Sequence, residues 1–589
     1  MYSLRFLALL ALLACYALRL PAQPADAPVL PLVELHPGMK GEVWTVFKGR
    51  DPEPFAVQVT GILRNALGPG KSMILCELTD PRVQGMGAVA GMSGSPLYID
   101  GKLAGVLSYQ IQRFETVRYA GFTPISDMLE ISALPPGRDG LTPLPIPVKG
   151  ERQGTRSADG LGSGFSPMTP AFSLGGLSPD VAAMLEPQFA ALGLSVTGLG
   201  GSDSASDQAA AVPTALRPGG VVAVALATGD ISLAGTGTVS HVDGNRILAF
   251  GHPMLSLGAT ELPMASAEVV TILPSQLNSI KVANTGGIIG SFSQDRLSGI
   301  YGELGRKAPM VAVDVVFPTR SNRKALHFEV VRHEQLLPAI AATGLAQAVM
   351  GSNESGLSRG FKVTTTVNFP GTAPVEMSQL YPGPQGFRQG LTEFVGNLSL
   401  WLFNPYQRVF PDRIRFSIED TPETPSGSIE QMLVSRTTAA PGERVDLTVG
   451  WRAFQRDAES ERVSLDIPAN WAGKDLEVIL TTGPALDELT GRAHSVPIAQ
   501  LRNFEEYISA LREFRETDGL YLAVVEKARL MTDQRATTTD MPGSLERIAR
   551  SADEARFQRR DAFTPLWEQR VLPGRLFNIM VRRPLVITD

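Results

Sequence analysis

Glycine and proline recur along this chain at short intervals, and that punctuation limits what it can fold into. The 589 residues include 58 glycines and 44 prolines. Proline breaks a helix and glycine weakens one, so a long coiled coil is excluded. Between the breaks lie short apolar runs such as Gly41–Phe47, Phe55–Leu63 and Ser72–Leu78. Runs of this kind, bounded by turn residues, read as strands. Hydrophobic residues make up 43% and charged residues 19%. Such a chain is not disordered and can bury sizeable cores. The expected class is mainly β, in roughly four domains at the usual ~150 residues each.

The net charge of −6 provides no basic field for nucleic acid or an anionic membrane. Cys15 and Cys76 are the only cysteines, so a disulfide framework and a cysteine-based zinc site are both excluded. No His-Glu-x-x-His zinc motif is present, and no cofactor is expected. A lone thiol in an oxidising compartment, as Cys76 would be, is expected to be buried.

The first residues carry one arginine, then an apolar stretch from Phe6 to Leu18, then small residues near Ala22. A positive charge, a short apolar core and small residues describe a secretory signal over 1–23. Leu12-Leu13-Ala14-Cys15 offers a second processing route, lipidation at Cys15. The apolar core is about 13 residues, short for a bilayer span, and no later run reaches 18 apolar residues. The expected location is the periplasm or cell envelope, with no membrane span in the mature chain.

Residues 24–134 read as strands with turns, and 135–217 as a Gly/Ser-rich connector with one helix, Pro179–Leu192, kinked at Pro187. A second β-rich block spans 218–305. A β-rich accessory domain follows over 306–427, with a helical patch near Gln335–Val349. A C-terminal β-sandwich with a helix occupies 428–589. That helix, Ala499–Arg515, repeats Leu501, Phe504, Ile508, Leu511 and Phe514 at helical spacing, a face suited to packing on the sandwich before it.

The segment richest in chemistry is Gly91-Met92-Ser93-Gly94-Ser95-Pro96, followed by Leu97–Ile99, Asp100-Gly101 and Leu103–Ser108. Its second part is a β-hairpin on an Asp-Gly turn. Its first part is a tight loop with a glycine on each side of the Met-Ser pair. Glycine lets the backbone turn amide N–H groups into one hollow. A serine there could attack a carbonyl while the N–H groups of Gly91 and Ser93 hold the oxyanion. The same residues would also serve as a plain turn into the hairpin. A nucleophilic serine needs a base. Of six histidines, His252 ends an apolar strand at Gly251, after an Asp243-Gly244 turn, and His241 is the second candidate.

Gly-Met-Ser-Gly-Ser-Pro, with the strand, Asp-Gly turn and strand after it, resembles the nucleophile region of the SpoIVB peptidase family, trypsin-like serine peptidases. Pro37-Gly38 with Glu42–Val46, and Thr79-Asp80-Pro81, extend the likeness. Gly235–Val239 through Gly251-His252 resembles that family's histidine region, with Pro253 as a departure. The resemblance implies Ser93 as nucleophile, Asp80 as acidic member and His252 as base. It implies a trypsin-like double β-barrel assembled from two separated segments, followed by β-sandwich-like modules with a few helices. The family's histidine precedes its serine, whereas here the order is Asp80, Ser93, His252. That order implies a rearranged domain and leaves open a catalytically inactive envelope scaffold or binding protein that retains the peptidase fold. The first expectation is an exported serine endopeptidase acting on a protein or peptide substrate, with an envelope protein as a further partner.

Three weaker signals carry no chemistry. Gly70-Lys71-Ser72 has Asn65 where a phosphate loop needs glycine. His327 and His333 have no acidic partner at ligand spacing, and the charged run around Asp553–Arg560 reads as a solvated face.

Overall fold

The structure is a computed structural model. It describes residues 23, 27–111, 117–135, 165–168, 170–194, 201–202, 216–275, 279–319, 322–351, 357, 359–402, 404, 409–490, 503–532, 537–539 and 558–589. The leader with Cys15, the Gly/Ser-rich piece at 160–164, the piece at 198–206 apart from residues 201–202, and most of the charged run near 553–560 lie outside the described residues. The chain is mainly β and divides into two compact units. One comprises 1–138, 150–310 and 328–336, and the other 139–149, 311–327 and 337–589.

The first unit contains two closed barrels. Strands β1 (Lys40–Thr45), β2 (Glu53–Gly68), β3 (Lys71–Leu78), β4 (Pro96–Ile99), β5 (Lys102–Ile111) and β6 (Tyr119–Pro124) build the first. All pairings are antiparallel, in the order β4-β1-β2-β3-β6-β5, and β5 returns to β4. Closure leaves no sheet edge to protect. Alternation along the strands sends Val43, Phe55, Val57, Ile74, Cys76, Leu97 and Phe122 into one core. Asp100 and Gly101 both take positive φ, +48° and +74°, as the two-residue turn between β4 and β5 requires.

Strands β7 (Phe165–Pro167) and β8 (Ala171–Gly175), helix Pro179–Ala191 and β9 (Gly201–Ser202) follow. The second barrel then forms from β10 (Val221–Gly229), β11 (Ser232–Asp243), β12 (Arg246–Ala249), β13 (Gly258–Leu273), β14 (Ile280–Arg296) and β15 (Gly299–Leu304). Its ring runs β10-β13-β14-β15-β12-β11 and closes on β10, again antiparallel throughout. Small side chains fill part of it, among them Ala223, Ala225, Ala234, Ala265 and Ala267. The stretch expected as a connector does more than connect. β7 pairs with β5 of the first barrel, and β8 pairs with β11 of the second. Strands of three to five residues in Gly/Ser-rich text are too short to show alternation.

In the second unit, strands Val375–Tyr381, Phe361–Asn368, Arg413–Asp420 and Met310–Pro318 lie side by side in that order. Helices Leu336–Ala346 and Pro384–Leu402 belong to the same stretch of chain. A three-stranded and a six-stranded sheet then share a core that includes Val445, Leu447, Trp471, Val478, Leu522 and Val524. The amphipathic helix covers Phe504–Arg512, capped by Asn503, whose side chain accepts from the Glu506 N–H at 2.9 Å. Its contacts run to the module preceding the sandwich. Phe504 meets the Phe369 ring edge-on at 5.1 Å, and Tyr507 donates to the Leu400 carbonyl.

Candidate active site

The site lies within the first unit, where the loop before β4 meets β11 and the end of β12. Asp80 caps a short helix, α1 (Pro81–Met86), and the chain reaches Ser93 through the turn that follows. Gly91 and Gly94 take φ of +95° and +92°, values that a side chain would strain. Local bonds hold the loop. Met92 N–H donates to Val89 O at 2.9 Å, Ser95 N–H to Met92 O at 3.1 Å, and Gly94 N–H to Leu107 O at 2.7 Å. The Ser95 hydroxyl donates to Met92 O at 2.6 Å.

The second barrel grips this loop. Thr238 N–H donates to Ser93 O at 2.9 Å, the Thr238 hydroxyl to Gly91 O at 3.1 Å, and the Ser240 hydroxyl to Gly94 O at 2.9 Å. A Cβ on Gly94 would stand 2.2 Å from Thr238 O and 2.5 Å from Phe250 N, so only glycine fits. Phe250 and Gly251 have φ of +70° and +71°. A Cβ on Gly251 would strike Ser108 Oγ of β5 at 2.4 Å, and Thr123 of β6 donates to Gly251 O at 2.7 Å. The residues flanking Ser93 and His252 thus interlock across the two barrels.

Ser93 and His252 are both fully buried, and Ser93 Oγ and His252 Nε2 have no hydrogen-bond partner among the described residues. An unsatisfied buried polar atom is costly, and such atoms concentrate at functional sites. His252 Nδ1 lies 2.8 Å from Pro253 O. A carbonyl only accepts, so Nδ1 carries the proton and Nε2 presents its lone pair, the tautomer a general base needs. Burial pushes the imidazole pKa down to about 4, against the weaker opposing effect of the Pro253 bond. The ring is therefore neutral at ordinary pH. The N–H groups of Gly91 and Ser93 make no hydrogen bond among the described residues, while those of Ala90, Met92, Gly94 and Ser95 do. The two unengaged donors are the pair that an oxyanion would need.

The structure does not bring Asp80 to the imidazole. Its carboxylate accepts from the Arg82 N–H at 2.9 Å and from the Arg82 guanidinium at 3.1 and 3.2 Å. The Arg82 side chain holds the Asp80 pKa below the usual carboxylate value. Asp80 serves the start of α1, as aspartate before proline commonly does. His241 stands on β11 opposite Leu248, and Cys76 is buried, its thiol pKa raised by desolvation.

Two residues of the site region escaped the sequence reading. Asp295, near the end of β14, accepts from the N–H groups of Met254, Leu255 and Leu257 at 2.8, 2.8 and 3.1 Å. This buried carboxylate holds the turn that follows His252-Pro253, where Ser256 has φ of +58°. Burial raises its pKa against those bonds. Lys281, at the start of β14, is buried beside Gly91. The signal for both was a charged residue in register with buried neighbours along one strand, Lys281 with Ala283 and Thr285. Among the described residues no group of side chains is placed to hold a metal ion.

Residues 22–128 match the family model described as SpoIVB peptidase S55. No curated protein and no solved structure matches the chain. The matched segment contains β1 to β6, the glycine-flanked loop and Ser93, and it is this segment that is similar to the SpoIVB peptidase S55 family of serine peptidases.

Proposed function

We propose that this protein is an exported serine endopeptidase in which Ser93 is the nucleophile and His252 the general base. The supporting observation is the pair of buried, unpartnered atoms, Ser93 Oγ and His252 Nε2, carried by loops that interlock across two barrels. Ser93 Oγ attacks the peptide carbonyl and its proton passes to His252 Nε2. The carbonyl π electrons move to oxygen, which the N–H groups of Gly91 and Ser93 receive. His252 returns the proton to the leaving amine, and water repeats the sequence on the acyl-enzyme. Asp80 is replaced in the orienting role by the Pro253 carbonyl, within a turn pinned by Asp295. The substrate is a protein or peptide of the cell envelope, and the N-terminal leader directs export.

One observation favours a second reading. Ser93 and His252 are both closed to solvent, as residues of a non-catalytic envelope scaffold would be. A peptide-library digest separates the two. Mass spectrometry should find new termini with the wild-type protein and none with Ser93→Ala. Identical, uncleaved libraries in both would establish the scaffold.

A further inference from the structure

Lys281 is hard to explain as packing. It is 2% exposed, and no carboxylate pairs with it among the described residues. An unpaired ammonium out of water is expensive, and methionine or leucine would fill the same space at no such cost. Its position is tied to the nucleophile loop in three ways. Lys281 N–H donates to Ala90 O at 2.9 Å, and Ala90 N–H donates to Ser279 O at 2.9 Å, so β14 straps the residue before Gly91. The stem of Lys281 lies on Gly91: a Cβ there would stand 2.9 Å from Lys281 Cβ and 3.5 Å from its Cδ. Nζ donates to Thr45 Oγ1 at 3.1 Å. Thr45 ends β1, and β1 pairs with β4, the strand that Ser93's loop enters, Val43 opposite Leu97.

We propose that Lys281 is the positive pole of the oxyanion site: its stem sets the left-handed Gly91, and its amine, anchored on Thr45, places charge beside the N–H pair of Gly91 and Ser93. The inference rests on the peptidase reading above. As Ser93 Oγ bonds to the substrate carbon, the electron pair of the C=O bond moves to oxygen and one negative charge appears there. A protonated amine held in a dry site stabilises that charge more than it stabilises the neutral ground state. Burial pushes the Lys281 pKa down to about 7. The amine donates to the Thr45 hydroxyl and the stem lies on Gly91, and neither of those groups is ionised. Negative charge growing nearby therefore favours the protonated form of this amine. Lys281 is a positioning residue in this scheme and forms no bond to substrate.

The test compares wild type, Lys281→Met and Thr45→Val. It reads kcat and KM on a cleaved peptide, affinity for a peptide boronate, affinity for the cleaved product peptide, and the melting midpoint. Lys281→Met should lower kcat about 10- to 100-fold with KM within about twofold. Boronate affinity should fall by the same factor, and product affinity should not change. The melting midpoint should rise, because a buried charge has gone. Thr45→Val should give a smaller loss of kcat in the same pattern. Unchanged kcat and boronate affinity in Lys281→Met would overturn the inference, as would equal losses in boronate and product affinity. If Lys281→Met does not fold, full activity in Thr45→Val overturns it. A wild type that cleaves nothing defeats the peptidase reading and this inference with it, whereas an active wild type matched by Lys281→Met defeats this inference alone.

Discussion

His252 illustrates how one buried side chain links chemistry to stability. Its native pKa of about 4 lies below the ordinary 6.5. Between those values the unfolded chain binds a proton that the folded chain refuses. Stability contributed by this residue is full above about pH 6.5 and is lost as pH falls through about 4, by roughly 3 kcal/mol in all. Urea unfolding at pH 7.5 and 4.5 should show a drop about 2–3 kcal/mol larger in wild type than in His252→Gln. An equal drop would mean that the imidazole is not desolvated. Asp80 makes a contrasting prediction. Asp80→Ala removes a helix cap and should cost about 1 kcal/mol of stability. It should leave acylation of Ser93 close to the wild-type rate, because the carboxylate is engaged by Arg82. A loss of acylation of a hundredfold or more in a folded variant would restore Asp80 to the orienting role.

At the scale of elements, two turns decide the geometry. The loop around Ser93 depends on glycines that are not equivalent. Gly94 has backbone atoms 2.2 and 2.5 Å from where a Cβ would sit, whereas Gly101 has open space. Gly94→Ala should therefore cost about 3 kcal/mol or more, and Gly101→Ala only about 1 kcal/mol. Chemical denaturation of the two variants checks the difference, and similar losses would contradict the interlocked geometry. The turn after His252 depends on Asp295. Asp295→Asn keeps the shape but cannot accept from all the N–H groups, and kcat should fall about tenfold. Product-peptide affinity should hold, and a matching loss there would mean general disorder instead. The Ser93 hairpin was legible because Asp100-Gly101 is a local turn signal, and His252 is proposed as the base because a glycine ends its strand. Asp295 and Lys281 were not legible in the same way. Each is one charged residue in a seventeen-residue strand, and its partners come from elsewhere in the chain. Non-local partners of that kind appear only once the barrel closes.

At the scale of the whole molecule, the serine-bearing barrel precedes the histidine-bearing barrel in the chain. Each barrel closes on its own segment, β1–β6 and β10–β15, so chain order does not constrain which strands pair. The class was legible in the turn punctuation and the short apolar runs. The contribution of β7 and β8 to the barrels was not, since strands so short have no period to read. The central claim is that the two barrels together form one nucleophile–base site. The most direct measurement is labelling by a fluorophosphonate probe of wild type, Ser93→Ala and His252→Ala, each shown to be folded. The account predicts labelling of wild type and none of either variant. A folded wild type that takes no label, or undiminished labelling of His252→Ala, would contradict it.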